Sequence, residues 1–183
     1  MKRLLAFPAT LAMLAAAGAA NAQVTVSVAL PCVSQGDAEA LVTTLLPDLI
    51  ENVGHICERA LPPTALLRQT SGGFIAKYRA EADLAWPRAQ AGLTRLIGGS
   101  GGADLLLGTD MARPLIGTLL SPVLTRNLQA ADCAPLERIV TLLQPLPAAN
   151  AAPLVVQLIQ FSDTKRKDKG AKPTLPICQT GTK

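Results

Sequence analysis

The chain is poor in the residues from which active sites are most often built. Of its 183 residues, one is histidine (His55), one tryptophan, one tyrosine and three phenylalanine, and charged residues make up 16%. With a single histidine there is no H-E-x-x-H, which removes the zinc-protease signature. No two of the four cysteines are close in sequence, so there is neither a C-x-x-C redox pair nor a C-x-x-C-H haem attachment. Paired zinc thiolates are excluded by the same spacing. Only Met111 follows the N-terminal segment, too little methionine for a copper site of that type. No Gly-Lys-Ser/Thr phosphate loop and no dinucleotide fingerprint occur. No cofactor and no metal are expected.

What the chain does have is an export pattern. Lys2 and Arg3 form a positive n-region, Leu4 to Ala20 is apolar and Ala-rich, and Ala20-Asn21-Ala22 is an A-x-A site. Residues 1–22 therefore read as a signal peptide cut before Gln23, and the mature chain as periplasmic or secreted. No cysteine stands at the cut, so no lipid attachment there is expected. Later apolar stretches are interrupted: Leu105 to Leu124 contains Asp110, Arg113, Pro114 and Pro122, and a span needs about 20 largely apolar residues. The mature chain is not expected to span a membrane.

The formal charge of +4 divides unevenly. Residues 23–162 carry nine basic and eleven acidic side chains, whereas 163–183 carry six basic and two acidic. The expected organisation is a helical domain over 23–162 and a basic, partly disordered tail over 163–183, anchored through Cys178.

Periodicity predicts an all-α fold: a compact, disulfide-stapled bundle of five to six helices with extended terminal segments. Val24, Val26 and Val28 alternate as a short strand would. An apolar stripe keeps helical spacing from Asp37 to Leu61, in phase across Pro47, and Pro62-Pro63 stops it. A kink at Pro47 is expected. Thr64 to Gln69 reads as a helical turn and Phe74 to Ile97 as a second long helix. Pro87 is expected to kink or divide that helix, with Lys77–Glu81 and Arg79–Asp83 as ion pairs on its solvent side. Shorter helices are expected over Ala103–Met111, Pro114–Gln129, Cys133–Gln144 and Ala151–Phe161. The last of these is also rich in residues a buried strand uses.

Four cysteines in an exported chain read as two disulfides, with three possible connectivities. If Asp37 to Cys57 is helical, its ends lie about 30 Å apart. The five residues from Cys32 recover at most roughly 17 Å of that. Cα atoms must approach within about 7 Å, so Cys32–Cys57 would need a reversal at Pro47. The preferred pairs are Cys32–Cys178 and Cys57–Cys133, with Cys133–Cys178 the rival should Pro47 break the helix. Six- and eight-cysteine helical lipid-binding folds have a different cysteine count.

Remaining candidates for chemistry are thin. Gly98-Gly99-Ser100-Gly101-Gly102 matches G-x-S-x-G, but His55 precedes Ser100, whereas the hydrolase order places the base after the nucleophile. A glycine linker is the expectation. Glu51 and His55 at i, i+4, with Asp48 a turn earlier, offer a metal-like spacing beside Asn52 and Arg59, yet such faces are ordinarily solvated ion-pair ladders. Asp37/Glu39 and Glu81/Asp83 are two apart, so their side chains diverge on a helix. Lys165, Arg166, Lys167 and Lys169 form the one dense cationic run, suited to an anionic surface. No aromatics are interleaved with it, which speaks against nucleic acid. The expected role is a non-catalytic binding or scaffold module whose partner is an envelope protein or an anionic membrane surface. The alternatives are a carrier of lipid or a small apolar ligand within the bundle and, further off, a hydrolase.

Overall fold

The structure is a computed structural model, described over residues 32–97, 103–167 and 177–178. Residues 1–22, expected to be a signal peptide, the Val24–Val28 alternation, Ser100 with its glycines, and Lys169 lie outside the described residues. Within them the chain is all-α, as the periodicity predicts. The helices are α1 (Gln35–Ile56), α2 (Gly73–Ile97), α3 (Ala103–Leu107), α4 (Ala112–Thr125), α5 (Cys133–Leu143) and α6 (Ala148–Lys167). Single 3₁₀ turns at Leu66–Arg68 and Ala130–Asp132 complete the list. The one β-type pairing among the described residues is an isolated parallel bridge between Val33 and Ile177.

Helix α1 is the axis of the molecule, with α2, α4 and α6 packed on it. Ser34 starts it: the hydroxyl accepts the Asp37 N–H at 3.2 Å, satisfying one of the orphan donors of the first turn. Pro47 is buried inside α1, and the helix continues through it. The stripe predicted to reach Leu61 leaves the helix earlier, at Ile56. The Ala60 and Leu61 N–H groups both turn back to the Cys57 carbonyl at 3.0 Å. The proline pair at 62–63 keeps the helix from resuming, because the residue before proline, Leu61, is pushed out of the helical region. The chain then reverses and brings the 66–68 turn onto α1. Gly54 makes that approach possible, since a Cβ there would collide with the Leu67 carbonyl.

Three helices differ from expectation in instructive ways. Helix α2 is not divided at Pro87. Pro87 and Asp83 both lie on the exposed side, so the carbonyl deprived of its donor faces water. Helix α6 is a helix despite its β-branched residues, because Ala148, Ala151, Ala152 and Val156 form a buried seam at helical spacing. It also runs on through Lys167, so Asp163–Lys167, read as the start of the tail, belong to α6. Helix α3 stops at Leu107, four residues early, in the turns that lead to α4.

Two apolar clusters hold the bundle. The larger joins Ile50, Leu61, Leu67, Ile75 and Tyr78 around Cys57 and Cys133. The smaller joins Val33, Ala38 and Val156, with Leu41, Leu96 and Ile177 at its margin.

Candidate functional site

The thiols are structural. Cys57 bonds Cys133 with Cα atoms 5.6 Å apart, both residues fully buried. Cys32 bonds Cys178 with Cα atoms 4.8 Å apart, and the Cys178 N–H donates to the Val33 carbonyl at 2.8 Å. All four cysteines are thereby used.

The polar face of α1 is tied up in packing rather than gathered into a site. The Asn52 amide donates to Thr125 Oγ1 at 2.6 Å, linking α1 to α4. Glu51 is salt-bridged to Arg79 of α2. His55 and Arg59 are exposed. Asp48 lies half-buried under α4, where a Cβ on Gly117 would strike its carboxylate. Burial, and then the neighbouring Glu51 charge, raise the Asp48 pKa above its ordinary value, against the pull of Arg113 and Arg79. One turn beyond Gly117, the buried Ser121 hydroxyl has no hydrogen-bond partner among the described residues. Among those residues no three His, Cys, Asp or Glu side chains are grouped to hold a metal.

The carboxylate pairs separate as their spacing requires. Asp37 is buried and receives Arg88 Nε at 3.3 Å and Arg95 Nη2 at 2.7 Å from α2. The Ser34 hydroxyl and then Arg95 and Arg88 hold its pKa below the ordinary value, overcoming the burial that opposes them. Glu39 instead accepts from the Gln35 amide at 2.9 Å on the exposed side.

The ion pairs expected within α2 are replaced by bonds to other elements. Arg79 goes to Glu51 and to the Thr70 carbonyl, and Asp83 takes Arg113 of α4. Lys77 donates to the Gln144 and Leu146 carbonyls at 2.6 and 2.9 Å, capping the C-terminus of α5. Its ammonium also sits 5.0 Å from the Tyr78 ring centroid. Long side chains reach across a helix seam more profitably than along a solvated face, where a pair is worth a few tenths of a kcal/mol. Glu137, which sequence reasoning passed over, accepts the Leu66 and Leu67 N–H groups at 2.8 and 3.0 Å and so pins the 66–68 turn to α5.

The most extensive exposed faces among the described residues are apolar. Helix α4 is uncharged from Pro114 to Thr125, yet it buries only Ala112, Gly117, Ser121 and Thr125. Its other side shows Leu115, Leu119 and Val123 in one stripe, with Leu119 68% and Val123 55% exposed. Leu120 and Leu124 stand beside them. Leu105, Leu106 and Met111 from α3 and the following turn are exposed as well. This face was missed in the sequence because the side carrying the large apolar residues is ordinarily the one that packs on the core. A second stripe lies on α6, where Leu154, Leu158 and Phe161 are exposed and lead to Lys165. Beside it Val155, Leu158, Ile159 and Ser162 line an open hollow of about 220 Å³. Of the cationic run, Lys165 lies over the Phe161 ring and Arg166 is paired with Asp163.

No family model, curated protein or solved structure matches the chain.

Proposed function

We propose that the chain is an exported, non-catalytic binding module that docks a partner protein of the cell envelope on the outward face of α3 and α4. The observation that carries this reading is the α4 stripe. Five large apolar side chains stand exposed on one helix over its uncharged stretch from Pro114 to Thr125, where scattered single residues are the rule for a monomer surface. The core of such a patch, depleted of charge, has the composition of the centre of a protein interface. Export is supported by the n-region, apolar run and A-x-A site of residues 1–22 and by two disulfides in the remainder. Asp37, Glu51, Asn52, Lys77, Arg79 and Glu137 are all engaged between elements of the fold, which supports binding over catalysis.

Carriage of a ligand inside the bundle has less support. Ligand pockets enclose about 300–1,000 Å³, and the α6 hollow is both smaller and open.

A photo-crosslinking residue at position 119 tests the proposal in living cells. A discrete adduct is expected, lost when the crosslinker is moved to the exposed polar side of α2 at position 80. The adduct should also vanish in a chain carrying L115D and V123D, while the helical circular dichroism is kept. Absence of any adduct at positions 119 and 123 in a folded, exported chain would overturn it.

A further inference from the structure

We infer that α6 is a membrane-surface element, which lays Leu154, Leu158 and Phe161 into the headgroup layer of an anionic phospholipid bilayer with Lys165 at the edge. This inference goes beyond the α4 docking face and uses none of its residues, so the two fail separately.

The stripe is built for a plane. Leu154, Leu158, Phe161 and Lys165 are spaced four, three and four apart, which puts them on one side of a helix. From Leu154 to Lys165 the chain rises eleven residue steps, about 16 Å of helix length. Leu154, Leu158 and Phe161 are 42%, 56% and 63% exposed, increasing toward the C-terminal end of α6. Ala148, Ala152 and Val156 are buried on the opposite side, and Ala151, a turn before Leu154, is buried where the line of the stripe enters the body, so the stripe faces outward from Leu154 onward. A helix held with an apolar outer stripe and cationic residues can lie flat in the interface. No helix among the described residues is long and apolar enough to cross a membrane, which leaves lying on the surface as the mode of contact.

Charge selects the partner. The only acid in α6 is Asp163, whose side chain is 11% exposed and bonds Arg166 at 3.3 Å. The outward side of α6 thus presents no carboxylate. Lys165 Nζ sits 5.6 Å from the Phe161 ring centroid, so a cation is stacked on the outermost aromatic of the stripe. In sequence the positive run continues through Lys167, Lys169 and Lys172. An anionic bilayer complements both parts at once, phosphates for the ammonium groups and acyl boundary for the stripe. A second copy meeting this stripe would bring like charges together with no acid on the face to neutralise them. The uncharged α4 face lacks this cationic end, which is why the bilayer is assigned to α6.

The test is co-sedimentation of the oxidised chain from Gln23 onward with vesicles of phosphatidylglycerol and phosphatidylethanolamine, against vesicles of phosphatidylcholine alone. At least tenfold stronger binding to the anionic vesicles is expected, falling several-fold between 50 and 300 mM salt. L158S with F161S should reduce binding at least tenfold, as should K165E with K167E, while circular dichroism and both disulfides persist. A chain carrying L115D and V123D should bind as the parent does. Equal binding to both vesicle types, no binding to either, or full binding by the L158S/F161S chain would each overturn the inference. So would loss of binding in the L115D/V123D chain, or a concentration-dependent dimer that F161S abolishes without any vesicle binding.

Discussion

The two ends of α1 are held by different physics. At its C-terminal end Cys57 and Cys133 are fully buried, ringed by Ile50, Leu61, Leu67, Ile75 and Tyr78. At its N-terminal end the buried set shrinks to Val33, Ala38 and Val156. There Cys32 is exposed, and a buried carboxylate with two arginines does much of the joining. The comparison teaches where a disulfide substitutes for a core and where it is embedded in one. At the Cys57 end the crosslink and the packing reinforce each other. At the Cys32 end the described contacts beside the crosslink are the Val33–Ile177 bridge and the packing of Ile177 on the small cluster.

The largest effect should come from breaking the buried end. C57A with C133A opens a loop of 76 residues and should cost about 4 kcal/mol in urea unfolding. A loss under about 1 kcal/mol would show that packing alone secures this end and would collapse the contrast.

Asp37→Asn comes next, at about 1–3 kcal/mol, since charge-assisted bonds to Arg88 and Arg95 are weakened in place. Its pH dependence identifies the cause. The folded pKa of Asp37 lies below the ordinary 3.8, so its contribution is complete above that value and is lost as pH falls through the folded pKa. Parent and D37N chains should therefore differ by a constant amount near neutrality and converge in strong acid. A gap that persists there would mean the substitution acts through packing.

C32A with C178A should cost only about 1 kcal/mol, although a loop of 146 residues would by itself suggest about 5. Once cut, the described contacts of the Ile177–Cys178 segment are the bridge to Val33, whose hydrogen bond is the Cys178 N–H to the Val33 carbonyl, and the packing of Ile177 on the small cluster, so it is expected to detach and the folded state to regain the entropy too. Unchanged hydrogen-exchange protection of α1 to α6 is the accompanying readout. A cost above about 4 kcal/mol would erase the difference between the ends.

The smallest effect is at the seam between them. Asp48 has a raised folded pKa, so its ionisation weakens the fold as pH rises from the ordinary 3.8 through that folded value. D48N should be slightly more stable than the parent at pH 7 and equal to it below about pH 3.5. Equal melting temperatures across that range would remove Asp48 as a source of strain.

Much of this fold was legible in the chain. The stripe of α1, running in phase through Pro47, showed one long helix, and helix length then constrained which cysteines could meet. Local pattern reached its limit where long-range contacts decide. Lys77 and Arg79 have suitable partners one turn away in α2, but carbonyls and carboxylates on other elements take them. Val155, Val156 and Ile159 left α6 open to a strand reading, and only the alanine seam packed against α1 decides for a helix. The exposed side of α4 could not be read at all. In Leu115 to Leu124 the leucines and Val123 face outward and the small or polar Gly117 and Ser121 face the core, the reverse of the usual pattern.

The two crosslinks also give the molecule the topology of a ring with a chord. The ring runs from Cys32 through every helix to Cys178 and closes on itself, and Cys57–Cys133 spans it. A protease that cuts the backbone once, anywhere between residues 32 and 178, releases nothing. Two cuts free a fragment only when both fall between 57 and 133, or both fall outside that arc. One cut in each arc leaves a single covalent molecule. In a compartment exposed to proteases, the chain can be nicked and still keep its helices together until a reductant arrives.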